Sequence, residues 1–348
     1  MNPACLAIKA YHVPQEGCKI KLNQNESPYD VPTQIKERVF KTLGRAPWNR
    51  YPPLETKELL DRIADYAGFS ARGTVIGNSS NEIIQTILLA TCEPGAKMVV
   101  VEPGFSIYAR LGRILGRDVQ TVSLGKDFRH EPDAIIAAAQ GARLVMLASP
   151  NNPTGTILEI PQIEAIARSI RGYLAVDEAY HEFSGQTCLP LVEKYKRLMV
   201  IRTFSKAFGL AGIRLGYLLA RPEIAAVMAK VKLPFSVGIF PPAAASEMLG
   251  KPEYIRQTVE TIIREREKLM RGLDKIKGVK PIPSRTNFIL FKTRGQSAHR
   301  VFNGLRKKGV LVRNFDIPTL QDWLRVTVGR PGENEIFLKK LKAVLEER

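Results

Sequence analysis

Four short aliphatic runs set the tightest limit on what this chain can fold into. They lie in "AKMVVVEPGF", "ARLVMLASPNNPTG", "GYLAVDEAYHEF" and "RLMVIRTFSKAFG", and each breaks off into polar residues, Gly or Pro. A short, unbroken run of β-branched or aliphatic residues suits a strand buried on both faces. Helix-patterned stretches such as "EPDAIIAAAQG" and "IPQIEAIARSI" separate the runs. Strands alternating with helices predict an α/β fold built on a mostly parallel sheet. In such sheets ligands sit beyond the carboxyl ends of the strands. The polar clusters that follow the runs are therefore expected to line one crevice.

"VIGNSSNEIIQTILLATC" adds a further strand, a polar turn and an apolar helix. Past Pro252 the pattern changes. A long amphipathic helix near residues 253–276 precedes "TNFILFKT", a helix in "AHRVFNGLRKKG", strands in "VLVRNF" and "WLRVTVG", and a final helix. That order predicts a smaller α+β domain. The expected division is an N-terminal segment 1–45, a large domain 46–250 and a small domain 251–348.

Charge and cysteine usage narrow the class. The net charge is +18, from 52 basic and 34 acidic residues. Such a balance suits nucleic acid, an anionic membrane or an anionic small molecule. Here the charges are spread over helix-like segments, with no basic tail, zinc finger or RNA-binding signature. No nucleic-acid partner is expected. No apolar run approaches the ~18 residues that span a bilayer, so no membrane association is expected. The opening "MNPACLAIKAYHVPQEG" lacks the apolar core of a leader peptide. Cys5, Cys18, Cys92 and Cys188 form no C-x-x-C pair, and the four histidines are dispersed. Reduced thiols, a cytoplasmic location and no metal site are the expectation.

One lysine stands out. Lys206, in "RTFSKAFGLAGIRLGY", sits among small and apolar residues, between hydroxyls and an arginine. A buried lysine is suited to forming a Schiff base with an aldehyde cofactor. Pyridoxal phosphate is such a cofactor, and it needs partners that the other clusters offer. Asp177, at the end of "YLAVD", can keep a ring nitrogen protonated. Tyr180 and Asn152 can hydrogen-bond the phenolic oxygen. Ser79, Ser80 and Asn81 open an apolar helix and can present N–H groups to a phosphate. Thr203, Ser205 and Arg214 can complete that anion site, and Phe105 can stack on the ring. Taken singly, Asp177 reads as a turn cap, Asn152 as an Asn-Pro turn, the serines as a helix cap and Phe105 as core. Their joint occurrence after successive strands favours one cofactor site.

These motifs carry a family resemblance. "SPNNPTG", "DEAY" and "TFSKAFGLAGIRLGY", in that order, resemble the fold-type I pyridoxal-phosphate aminotransferases. "LNQNESPY", "RYPPLETKELLDRIA", "GNSSNEII", "TNFILF", "GVLVRNF" and "LRVTVGRPGEN" are similar to the histidinol-phosphate aminotransferase branch. The resemblance implies a homodimer that transfers an amino group between glutamate and a phosphorylated substrate, histidinol phosphate in one direction. It implies Lys206 as the cofactor lysine and proton shuttle, its pKa lowered by burial and by Arg214. Arg325 would bind the glutamate carboxylate and the substrate phosphate in turn, with Arg313 at the second anionic end. Tyr51 would reach the cofactor phosphate of a neighbouring subunit, and Asn23 and Glu26 would close over substrate. Aromatic-amino-acid aminotransferases and threonine-phosphate decarboxylases share these features and remain alternatives. The chain departs from the branch in "SSNE" for Gly-Ser-Asp-Glu, in Phe105 for Tyr, and in "NESP" for Asn-Glu-Asn-Pro.

Overall fold

The aliphatic runs form the middle of a seven-stranded sheet. A computed structural model describes residues 3–6, 8, 10, 17–54 and 56–347. The stretch 1–16, read above for the absence of a leader, lies mostly outside them. The strands, in chain order, are β1 (Ile20–Lys21), β2 (Thr74–Asn78), β3 (Lys97–Glu102), β4 (Asp118–Ser123), β5 (Leu144–Ala148), β6 (Tyr173–Asp177), β7 (Leu198–Thr203), β8 (Leu215–Leu219), β9 (Val279–Pro281), β10 (Phe288–Thr293), β11 (Val310–Leu311), β12 (Arg313–Asn314) and β13 (Trp323–Thr327).

The large sheet has the order β2-β8-β7-β6-β5-β3-β4. β8 runs antiparallel to both neighbours, and every other pairing is parallel. Six strand ends, those of β2, β3, β4, β5, β6 and β7, therefore open on one edge, and β8 begins there. β5 and β7 are buried along their whole length, which is why their sequences do not alternate. Helices fill the connections, among them Ser79–Thr91 and Ile160–Ser169.

The smaller antiparallel sheet has the order β12-β13-β10-β9. It packs with helices Pro252–Asp274, Ala298–Lys307 and Pro331–Glu346. The sequence reading takes "VLVRNF" as one strand. The fold divides it at Val312: β11 pairs with β1 from the N-terminal segment, while β12 joins β13. That division ties the N-terminal segment to the small sheet, and the tie continues where Thr327 N–H donates to Leu22 O at 2.9 Å. β4 and β8 are strands the sequence reading did not isolate. Among the described residues, no helix is long and apolar enough to cross a membrane.

Candidate active site

The strand ends bring the expected groups together. β6 ends at Asp177, whose carboxylate is buried and accepts from Ala179 N–H at 3.0 Å. Its other oxygen accepts from the Tyr108 hydroxyl at 2.6 Å. Burial pushes this carboxyl up to about 6, while the two hydrogen bonds and Lys206 pull it down and neighbouring Glu178 raises it. At neutral pH the group stays mostly ionised, as a partner of a ring N–H must be.

Lys206 follows β7 by three residues. Its Nζ donates to Gln24 O at 3.2 Å and lies 5.9 Å from the centre of the Tyr180 ring. Burial lowers its ammonium to about 8. Arg325 acts the same way and more strongly than Arg214, against the attraction of Glu26 and Asp177. The sequence reading assigned that role to Arg214; the folded chain gives it first to Arg325. Tyr180 is held by Asn25, whose Nδ2 donates to its hydroxyl at 2.9 Å.

The groups expected to hold a phosphate come together where β2 and β8 meet. Ser79 has a positive φ of 65° and donates its N–H to Arg214 O at 3.0 Å. Arg214 itself has φ 59°. The two unusual conformations turn the start of helix Ser79–Thr91 toward the crevice, where its first N–H groups lack helical partners. Gly216 allows the close approach, since a Cβ there would lie 2.4 Å from Ser80 N. Arg214 Nη1 donates to Ser205 Oγ at 3.3 Å. Thr203 braces the same turn. Its hydroxyl donates to Leu215 O at 3.4 Å and accepts from Ser205 N–H at 3.1 Å, which fixes the turn. Phe105 stands beyond β3 and meets Tyr108 edge to face, centroids 5.4 Å apart.

In the small sheet, β12 and β13 place Arg313 directly opposite Arg325. Like charges opposite one another destabilise an antiparallel pair unless an anion lies between them. Arg325 donates to Asn152 Oδ1 at 2.5 Å and to Asn23 O at 2.9 Å. Its guanidinium centre lies 5.1 Å from the centre of the Phe288 ring and 5.9 Å from that of Phe315. Because Asn152 gives its oxygen to Arg325, its NH2 is the side it can offer a cofactor. Glu26 pairs with Lys21 beside the site. Tyr51 is not drawn in: it is 81% exposed and stacks on Phe235 at 4.6 Å.

A family model described as "Aminotransferase class I and II" matches residues 18–341. The chain belongs to the class I and II aminotransferases. Among similar proteins of this family is a histidinol-phosphate aminotransferase of Chlorobium phaeovibrioides, 39% identical over 99% of this chain and 96% of that protein. One of Thermococcus gammatolerans is 36% identical over 97% and 95%. The solved histidinol-phosphate aminotransferase of Sinorhizobium meliloti, in complex with pyridoxal-5'-phosphate, superposes with a TM-score of 0.90 at 24% identity, covering 99% and 97%. The fold is accordingly the fold-type I aminotransferase fold, and pyridoxal phosphate is the cofactor of this aminotransferase.

The residues fit that cofactor. The ionised Asp177, the lysine of lowered pKa and the cradle that only a glycine at 216 permits are what its ring nitrogen, aldehyde and phosphate require. Two contributors escaped the sequence reading. Tyr108 lies one helical turn beyond Phe105 in "FSIY", and Asn25 lies in "NQNES". The first looks like an ordinary core position of an amphipathic helix. The second was visible only as part of a polar cluster.

Proposed function

We propose that this aminotransferase acts on histidinol phosphate, exchanging its amino group with 2-oxoglutarate to give imidazole acetol phosphate and glutamate, and reversibly so. The facing pair Arg313 and Arg325 carries the reading, because it supplies two positive charges for a doubly anionic substrate. The full-length likeness to proteins named for this activity supports it.

In this reading each residue has a task. Pyridoxal phosphate, when bound, supplies an aldehyde to hold the amino group and a protonated ring that withdraws electrons from Cα. Lys206 removes and returns the Cα proton, for which an amine near pH 8 is better suited than an ordinary lysine. Asp177 keeps the ring nitrogen protonated. Tyr180 and Asn152 hold the phenolic oxygen, and Phe105 packs on the ring. Ser79, Ser80, Asn81, Ser205 and Arg214 bind the phosphate. Thr203 shapes their turn. Arg325 takes the glutamate carboxylate and the substrate phosphate in alternate half-reactions, and Arg313 takes the second anionic group. Asn23 and Glu26 belong to a segment that excludes water from Lys206.

The division 1–45, 46–250 and 251–348 matches these tasks, with the first and last parts acting together on substrate. A homodimer is part of the proposal. Tyr51, Trp48 and Phe40 are 81%, 76% and 62% exposed. Such aromatic exposure suits a twofold interface through which Tyr51 reaches the other subunit's cradle.

The test compares histidinol phosphate and phenylalanine as amino donors to 2-oxoglutarate, with release of carbon dioxide from threonine phosphate as a third arm. Much the highest kcat/KM for histidinol phosphate is expected. A preference for phenylalanine, or decarboxylation, overturns the substrate assignment.

A further inference from the structure

We infer that Tyr108 is a positioning residue that, through Asp177, governs whether the cofactor's ring nitrogen carries a proton. The inference rests on the site reading above. The Tyr108 hydroxyl donates to Asp177 Oδ2 at 2.6 Å, and both side chains are buried. A hydrogen bond to an ionised oxygen is stronger than one between neutral groups and favours the charged form. Without it, the carboxylate becomes more basic.

A proton shared between a ring nitrogen and a carboxylate follows the more basic partner. Tyr108 and Ala179 N–H together weaken the carboxylate as a base. They thereby leave the proton on nitrogen. The other groups acting on Asp177 do not replace Tyr108: Glu178 makes the carboxyl harder to ionise, and Lys206 acts as a cation only while protonated. The same tyrosine braces Phe105 edge to face. One side chain of the helix Ile107–Ile114 thus supports both the ring-nitrogen contact and the stacking face. The hydroxyl serves the first and the aromatic ring the second, so Tyr108→Phe separates them.

The experiment uses wild-type enzyme, Tyr108→Phe, Asp177→Asn and the double variant, each loaded with pyridoxal phosphate labelled with 15N in the ring. The 15N chemical shift at fixed pH reads the proton on nitrogen directly. Tyr108→Phe is expected to move it toward the unprotonated value. It should also lower kcat by roughly ten- to a hundredfold, the range for losing one hydrogen bond to a charged group, with KM for glutamate nearly unchanged. In the Asp177→Asn background the same substitution should add little, because its route of action is gone. An unchanged 15N shift in Tyr108→Phe, or losses that add in the double variant, overturns the inference while leaving the site reading intact. A wild-type enzyme that does not take the cofactor on Lys206 overturns both.

Discussion

Beneath the site lies an ion pair whose removal should be costly. Glu178 and Arg202 have side chains 2% and 4% exposed. The Glu178 carboxylate accepts from Arg202 Nε at 3.1 Å and Nη2 at 3.0 Å, from Thr187 Oγ1 at 2.7 Å and from Cys188 N–H at 2.6 Å. Glu178 adjoins Asp177 on β6, and Arg202 adjoins Thr203 on β7, so the pair crosslinks two of the strands that carry the site. Glu178→Gln keeps the shape and removes the charge. Arg202 then stays buried without its direct carboxylate partner, with only the field of Glu182 to offset its charge, a loss of about 3–5 kcal/mol. For 348 residues the entropy of unfolding is about 0.7 kcal/mol per kelvin, so Tm should fall by about 4–7 °C. Far-UV circular dichroism on heating measures it. Glu178→Gln combined with Arg202→Met also removes the stranded cation and should recover much of the loss. A drop of less than 1 °C in the single variant, or a double variant as unstable as the two losses combined, would refute this account.

Four further outcomes test the site. Borohydride reduction of the loaded enzyme should mark Lys206 in a peptide map, and a mark on any other lysine contradicts its role. With apoenzyme, the rate of reaction with pyridoxal phosphate should rise through about pH 8 and level off above it, because only the neutral amine reacts and its ammonium is lowered to about 8; stopped-flow absorbance gives the profile, and Arg325→Ala should shift it to higher pH. Arg325→Ala should also lower kcat/KM for both glutamate and histidinol phosphate by about a hundredfold, whereas a defect with glutamate alone would move the phosphate to Arg313. Mixed dimers of Lys206→Ala and Tyr51→Ala chains should regain about a quarter of wild-type activity if Tyr51 crosses the interface, since half the dimers then hold one intact site; verified hybrids with no recovery exclude that role.

The strands legible in the sequence were those whose burial forces an apolar run. β5 and β7 are examples. β4, "DVQTVS", is an edge strand with mostly exposed residues, so no such run marks it. β8 starts directly after Arg214, within the motif around Lys206, so its residues read as part of that motif and not as a separate strand. The proposed cofactor residues stand out in the sequence because their chemistry demands particular side chains near strand ends. The residues that hold them in place were not. Tyr108 and Asn25 act through partners 69 and 155 positions away, and no local pattern records such distances. The opposition of Arg313 and Arg325 likewise depends on strand register, which the split of "VLVRNF" decides.

Arg325 already holds two neutral oxygens, those of Asn152 and Asn23. An arriving carboxylate or phosphate therefore exchanges for existing bonds and does not meet a bare charge. The net gain is the difference between a charged and a neutral acceptor, smaller than the whole strength of a guanidinium–anion contact. If Arg325 serves both anions in turn, as proposed, that difference is an advantage. It leaves enough attraction to select anions while keeping the bound complex shallow, so departure of the first product need not limit turnover.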